Sequence, residues 1–367
     1  MNLRDYLAAT KTNFKGMNVD RNIVVIESDD WGAIRTHSKE ALKAFKNKGY
    51  NIADSIYKID ALASQEDLEL LFEVLQKHKG ADGKPAKLTA NAIMANPDFE
   101  KIKESRYTNY YYEDFTETFK RYPNHSKNLE IWKKAKEEGV FRPQFHGREH
   151  LNYKRWLKVL KHENEAALFC FAWNTTYSGS GDYSFMEAYD WDTKEDLVTQ
   201  KKVIQEGLKI FERTFGESSK SFIPPCYTLD PELETTLVSN KLEWLQGIKV
   251  QKVPTGKFGE YHYQKRKFGE VSQAGLRFNI RNCFFEPSMD LNKDVVNDCL
   301  LRISSAFLWN KPAVISSHRI NFVGYIDEKS RDRGLRLLDE LLREILKKWP
   351  DVQFISTDEL DEYLVNK

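Results

Sequence analysis

Cysteine is scarce: four in 367 residues, Cys170, Cys226, Cys283 and Cys299, all far apart. No CxxC pair occurs, which excludes a zinc ribbon and a thioredoxin-type motif. In a chain of this length free thiols are the default. No run of 18 apolar residues occurs, so no membrane span is expected. Met1 to Gly16 is polar and mixed in charge, without the apolar stretch of a signal peptide. A cytoplasmic location is therefore expected. Net charge is almost absent: 56 Lys+Arg against 55 Asp+Glu leaves +1. That balance excludes a basic sheath for nucleic acid and a long charged tail. Internal repeats and low-complexity linkers are missing as well. The chain reads as one domain over 1–367, with its core in 20–367, in the length range of an enlarged α/β barrel.

What is present is an alternation of strand and helix signals. Hydrophobic residues make up 41% and aromatics 13%, enough for a sizeable, aromatic-rich core. Ile23–Ile26 is a continuous apolar run of the kind buried in a parallel sheet. Leu88–Met94, Val140–Phe145, Ala167–Trp173, Ser221–Ile223, Leu245–Val250, Phe278–Phe285, Ala313–Ser317 and Val352–Ile355 read as further strands. Helices are predicted over Lys39–Lys48, after the Ser64/Asp67 capping box, and over Lys127–Glu138, with Gly139 as the stop. Others run from Thr193 to Gly216, over Glu232–Asn240, over Lys329–Lys348 and over Asp358–Leu364. Residues 100–126 read as an irregular, Tyr-rich insertion. Thr175–Tyr183 reads as a Gly/Ser loop, and Lys252–Phe268 as a basic, Tyr/Gly-rich one. The alternation implies a parallel α/β sheet, either a barrel or a doubly wound layer.

In such folds the site forms at the C-terminal ends of the strands. Four polar ends stand out: Asp29-Asp30, His146 with His150, Pro224-Pro225-Cys226-Tyr227, and His318-Arg319. Histidines at i and i+4 lie on one face if their segment is helical, and can then share a metal. Glu149 directly before His150 excludes the HExxH pattern of zincins. Adjacent carboxylates at the end of an apolar strand are costly unless solvated or bound to a cation. On an extended segment Asp29 and Asp30 point in opposite directions, so one can ligate while the other acts as a base. Asp30, His146 and His150 together meet the three-ligand count of a catalytic zinc site.

This ordered set resembles the polysaccharide deacetylases of carbohydrate esterase family 4, the NodB-homology domain. Asp29-Asp30-Trp31-Gly32 is similar to the first family motif, with Trp31 inserted. His146 to His150 is similar to the second, with Gly147 in the place of a hydroxyl residue. Ile223-Pro224-Pro225-Cys226 is similar to the third, with Ile223 where the family has Arg. Ser316-Ser317-His318 is similar to the last. Residues 354–360 resemble the closing strand and helix.

The resemblance implies a distorted (β/α) barrel of seven strands with loop insertions. It implies a divalent metal, zinc, on Asp30, His146 and His150, with Asp29 as general base and His318 as general acid. Arg319, Arg281 or Arg148 stands in for the missing Arg. The implied activity is hydrolysis of N- or O-acetyl groups on a carbohydrate. A backbone N–H near Cys226–Tyr227 is expected to help hold the oxyanion. Trp31, Pro225, Cys226, Tyr227 and Arg319 are expected at the substrate, with Trp173 as a further stacking platform. Glu286 is expected to orient His318 or to contact sugar. Two other functions compete: a glycoside hydrolase using Asp29 and Glu286, and a non-catalytic glycan-binding protein. No nucleic-acid partner is expected, and oligomeric state is not legible.

Overall fold

In this computed structural model residues 10–50, 56–176 and 185–365 are described. The predicted apolar run becomes β1 (Ile23–Trp31), buried along its whole length. It is followed by α1 (Lys39–Lys48), which starts at the Ser38 side chain and ends at Gly49 with φ 72°. Next comes α2 (Gln65–Lys77), opened by the predicted Ser64/Asp67 capping box. Strand β2 (Leu88–Ala92), helix α3 (Asn128–Glu137) and β3 (Phe141–Phe145) follow. Helices α4 (Tyr153–Lys161), α5 (Glu165–Ala172) and α6 (Asp196–Phe215) then lead to β4 (Ser221–Phe222), β5 (Trp244–Gly247), β6 (Arg277–Ile280) and β7 (Cys283–Phe284). The remaining elements are α7 (Val295–Leu308), β8 (Ala313–His318), α8 (Glu328–Lys348) and β9 (Gln353–Ile355).

These nine strands form one sheet in the order β6-β5-β4-β3-β2-β1-β8-β7, with β9 also on β1. Every pairing is parallel. The edge strands β6 and β7 are consecutive in the chain, separated by Arg281 and Asn282. Arg281 N–H donates to Gly247 O at 2.8 Å on one side, and Asn282 N–H to Val314 O at 3.1 Å on the other. The two edges therefore meet, and the sheet curls into a distorted (β/α) barrel. Nine strands replace the seven expected, because β7 and β9 are short additions against β8 and β1. Among the described residues no helix is long and apolar enough to cross a membrane.

Several local expectations are corrected. Ala167–Trp173 is not a strand but falls in helix α5. Asn164 caps its first turn, and Ala167, Cys170 and Phe171 are buried at helical spacing. An apolar run this short cannot be told from a strand by periodicity. Helix α7 went unread. Residues 100–126 are not irregular. They hold helix Phe99–Glu104, strand Tyr112–Asp114 paired with Ala95–Pro97, and helix Phe115–Arg121. The Lys252–Phe268 loop contains an antiparallel hairpin, Val250–Pro254 with Tyr261–Lys265. The closing helix is a 3₁₀ segment, Thr357–Tyr363. The Gly/Ser loop lies outside the described residues beyond Thr176.

Candidate metal and acyl-transfer site

The sequence grouped its candidates by strand ends, and the barrel brings those ends together. A cavity of about 510 Å³ opens there, lined by Asp29, Asp30, His146, His150, Cys226, Tyr227 and His318, among others. Its volume is in the range of a small-molecule site.

Asp29 and Asp30 share the cavity rather than pointing apart. Ser28 pairs with Ala90 but Trp31 with Ala92, so β1 carries one extra residue against β2. At this bulge Asp30 adopts φ 75°, a left-handed conformation that costs free energy for a non-glycine residue. The bulge turns the second carboxylate back to the face of the first.

Asp30 Oδ1 lies 3.5 Å from His146 Nε2 and 3.5 Å from His150 Nε2. His146 Nδ1 donates to Ile223 O at 2.8 Å, which leaves Nε2 as the ring nitrogen facing Asp30. That buried Nε2 has no hydrogen-bond partner. Three ligands at ~2.0–2.2 Å from a tetrahedral cation stand about 3.3–3.6 Å apart; the carboxylate oxygen lies at that spacing from each imidazole, and all three atoms fall within 4.8 Å of one another. Burial, and after it the Arg35 guanidinium, holds the His150 imidazole well below its ordinary range and thus neutral. Arg35 (3.1 Å) and the two imidazoles overcome the burial of Asp30 and keep it ionised. An ionised carboxylate, the neutral His150 imidazole and the orphaned His146 nitrogen fit a divalent cation.

The His146–His150 segment is a loop, not a helix. Gly147 O and Arg148 O accept from Met94 and Ala95 N–H at 3.1 and 2.7 Å, which pins the turn to the end of β2. Gly147 has φ 118°, and a Cβ there would meet Tyr189 Oη at 3.1 Å. This explains why a hydroxyl residue is absent. Arg148 braces the loop from behind, bonded to Glu149 at 2.7 Å and to Glu206, with the Tyr112 ring 4.1 Å from its guanidinium.

Of the three arginines offered for the missing one, Arg281 reaches Asp29. It donates to both carboxylate oxygens at 2.6 and 2.7 Å and, through Nε, to Glu27 at 2.6 Å. Asn91 adds a bond to Asp29 Oδ1 at 2.8 Å. Burial raises the Asp29 carboxyl, Arg281 more than reverses it, and the result is about 2. Glu27 is pushed the other way by burial, with Arg281 and Thr357 only partly offsetting it. The single guanidinium charge is therefore divided unequally, in favour of Asp29.

His318 stands in register with Asp29 across β8 and β1. Its Nε2 is 3.8 Å from Asp29 Oδ2, and its Nδ1 donates to Glu286 at 2.6 Å. Burial works against the charged imidazole, but Glu286, with Asp29 and Asp30 behind it, pushes it up to about 9.

Other expected contacts fall elsewhere. Trp31 is buried among Trp132 and Phe141, its Nε1 on Ser28 Oγ, so it offers no sugar platform. Trp173 packs on the Phe45/Cys170 cluster. Pro225 is buried between cavity-lining Pro224 and Cys226. Arg319 is buried on Asp60 at 2.9 Å and supports Arg35, which faces the same Asp60 at 3.5 Å. The Tyr227 N–H is taken by Pro224 O at 2.9 Å, which reduces the expected oxyanion donor to Cys226 N–H. Burial pushes the Cys226 thiol up to about 12, which makes it a wall and not a nucleophile. Arg35, Tyr57, Met186, Glu187 and Lys252 line the cavity unannounced. Arg35, Met186 and Glu187 come from irregular segments, Tyr57 from the short 3₁₀ turn Ile56–Ile59 and Lys252 from a hairpin that reads as a loop; the unusual Asn91 inside an apolar strand was a legible hint of a polar interior.

No protein-family model and no curated protein matches the chain. Among solved structures it is similar to a 4-α-glucanotransferase from Thermococcus litoralis, at 12% identity and TM-score 0.46, over 95% of this chain and 41% of that one. It is also similar to a provisionally assigned glycoside hydrolase/deacetylase from Parabacteroides distasonis, at 8% and 0.48, over 95% and 72%. A third is the peptidoglycan deacetylase PdaC from Bacillus subtilis, at 12% and 0.38, over 94% and 91%. The likeness is one of fold; the chemistry rests on the distances above.

Proposed function

We propose that this protein is a metal-dependent hydrolase that removes acetyl groups from a carbohydrate. The observation that carries this reading is the Asp30 oxygen set 3.5 Å from two imidazole nitrogens, beside a clamped carboxylate and a carboxylate-held histidine. Asp30, His146 and His150 would hold the cation, and the mixed N/O set suits zinc. Bound there, a divalent cation supplies Lewis-acid polarisation of the acyl carbonyl and acidifies water. Asp29, kept ionised and oriented by Arg281, takes the proton of the attacking water. A base with a pKa of about 2 accepts a proton only from a strongly acidified water, so its role depends on the cation. Cys226, in the cavity wall, would offer its backbone N–H to the developing oxyanion. His318, charged through Glu286, protonates the departing amine or alkoxide. Glu187 Oε2 is buried at the cavity without a partner and suits a sugar hydroxyl donor.

The glycosidase reading lacks its cleft. Asp29 and Glu286 face the two nitrogens of one imidazole, His318, rather than an open gap.

The test is acetate release from a panel of N- and O-acetylated sugars, with and without chelator. Release that chelator leaves untouched would overturn the reading. Asp29→Asn is expected to retain metal and lose about 10²–10⁴ in kcat; a kcat within threefold of wild type would remove Asp29 from the chemistry. The charge on His318 has its own readout. In metal-free protein an NMR titration of its ring is expected near 9. Glu286→Gln should lower it by about 1–3 units, the size of a neighbouring-charge effect. Because the acid must be protonated, the alkaline fall of kcat moves to lower pH in the variant. An unmoved ring titration counts against this role of Glu286.

A further inference from the structure

The proposed chemistry leaves Lys252 in the cavity wall, and the lysines beside it, unexplained. Lys252 lines the cavity from the first strand of the hairpin Val250–Pro254/Tyr261–Lys265, its ammonium 5.2 Å from the Tyr261 ring centre. In the hairpin register Lys252 stands opposite Tyr263, and Val250 opposite Lys265. Residues two apart on a strand share a face, so Lys265 is the next cation on the face that carries Lys252. Lys249 continues the row. Its carbonyl accepts from Arg266 N–H at 2.9 Å, and its Nζ donates to Lys11 O at 3.0 Å. Burial and the ammoniums of Lys265, Lys11 and Lys15 all act against the charge of Lys249.

Among the described residues, none of the ion pairs involves Lys11, Lys15, Lys249, Lys252 or Lys265. In a chain of net charge +1, these five lysines form a positive patch beside the cavity, bordered by Glu187 in the cavity wall and by Glu232 and Glu234 in the groove that Lys265 lines. Like charges this close repel, and an anionic ligand removes that repulsion.

We propose that the acetylated sugar belongs to a phosphate-bearing glycan, with its first phosphate on Lys252 and further phosphates along Lys265, Lys249, Lys11 and Lys15. The proposal rests on the acetyl-sugar reading and narrows its substrate class. Lysine suits phosphate as a compact point charge, whereas planar carboxylate recognition favours the arginine fork. The phosphate can come from an anomeric diphosphate carrier or from a phosphodiester-linked chain. The length of the row favours the chain.

The test is calorimetric titration of metal-free full-length protein, so that no cation draws the phosphate. The probes are N-acetylglucosamine, its 1-phosphate, its 1-diphosphate, a phosphodiester-linked oligomer and an N-acetylated uronic acid. The phosphorylated probes are expected to bind at least about tenfold more tightly than the neutral sugar, as charge-assisted bonds allow. Lys252→Gln should abolish that preference for every phosphorylated probe, and Lys252→Arg should retain part of it. Lys249→Gln/Lys265→Gln should weaken the oligomer alone; equal weakening of the diphosphate would assign the row to a carrier. Equal affinity for neutral and phosphorylated sugars, or equal affinity for the uronic acid, would overturn the proposal. Acetate release by metal-loaded protein separates the two readings. Equal kcat/KM on neutral and phosphorylated sugars refutes the phosphate and keeps the deacetylase. Phosphate binding without acetate release from any probe does the reverse.

Discussion

Asp30→Ala is expected to remove stoichiometric divalent metal and, with it, the proposed acetate release. Asp30 Oδ1 faces both imidazoles at 3.5 Å, so its loss leaves two imidazole nitrogens and no carboxylate donor. Loss of a partner behind a metal ligand already costs about 10–100-fold in affinity, and loss of the ligand itself should exceed that. Alanine keeps a Cβ at φ 75° and gains nothing there over aspartate, but the substitution leaves Arg35 with Asp60 at 3.5 Å as its remaining carboxylate. Folding is therefore expected to survive, which near-UV circular dichroism checks. Metal content by plasma emission after dialysis is the decisive measurement. Unchanged metal in Asp30→Ala would remove the triad assignment, and the proposed function with it.

Arg281→Met destabilises the barrel by about 3–5 kcal/mol, the cost of leaving a buried charge unpaired. Arg281 and Glu27 are buried, and the guanidinium touches both Glu27 and Asp29 within 2.7 Å. Removing it abandons two carboxylates in the interior, each keeping other partners but no cation on that side. Against a total stability of about 5–15 kcal/mol for typical domains, that is a large fraction. Glu27→Gln is the control. It removes the carboxylate that the guanidinium serves less well and retains the Asp29 clamp, so its effect should be much smaller. Denaturant midpoints of the two variants decide the matter. An Arg281→Met midpoint as high as that of Glu27→Gln would show that the clamp is not what holds this end of the barrel.

The strand ends and their polar residues were legible because a buried parallel strand is a continuous apolar run with an abrupt polar finish. Ile23–Ile26 before Asp29-Asp30, and Ala313–Ser317 before His318, are of that kind. Capping residues were equally plain, since Ser64/Asp67 and Gly216 act on neighbours within one turn. Ala167–Trp173 was misread because a short apolar run carries no period, and the Asn164 cap that settles it is a single weak local signal.

The chemical types gathered at the candidate site were thus determined by the sequence: two carboxylates, two spaced histidines and one late histidine are types, and type needs no geometry. How those residues face one another was decided by the tertiary structure. The bulge that turns Asp30 beside Asp29 comes from pairing with a strand some 60 residues away. The choice of Arg281 over Arg319 and Arg148 comes from the meeting of β6 and β7 that closes the sheet. Arg319 lies directly after His318 yet turns to Asp60, whereas Arg281, 252 positions from Asp29, holds it with two bonds. Contacts of this kind are set by how the sheet curls, a property of all its strands together and of no single stretch of chain.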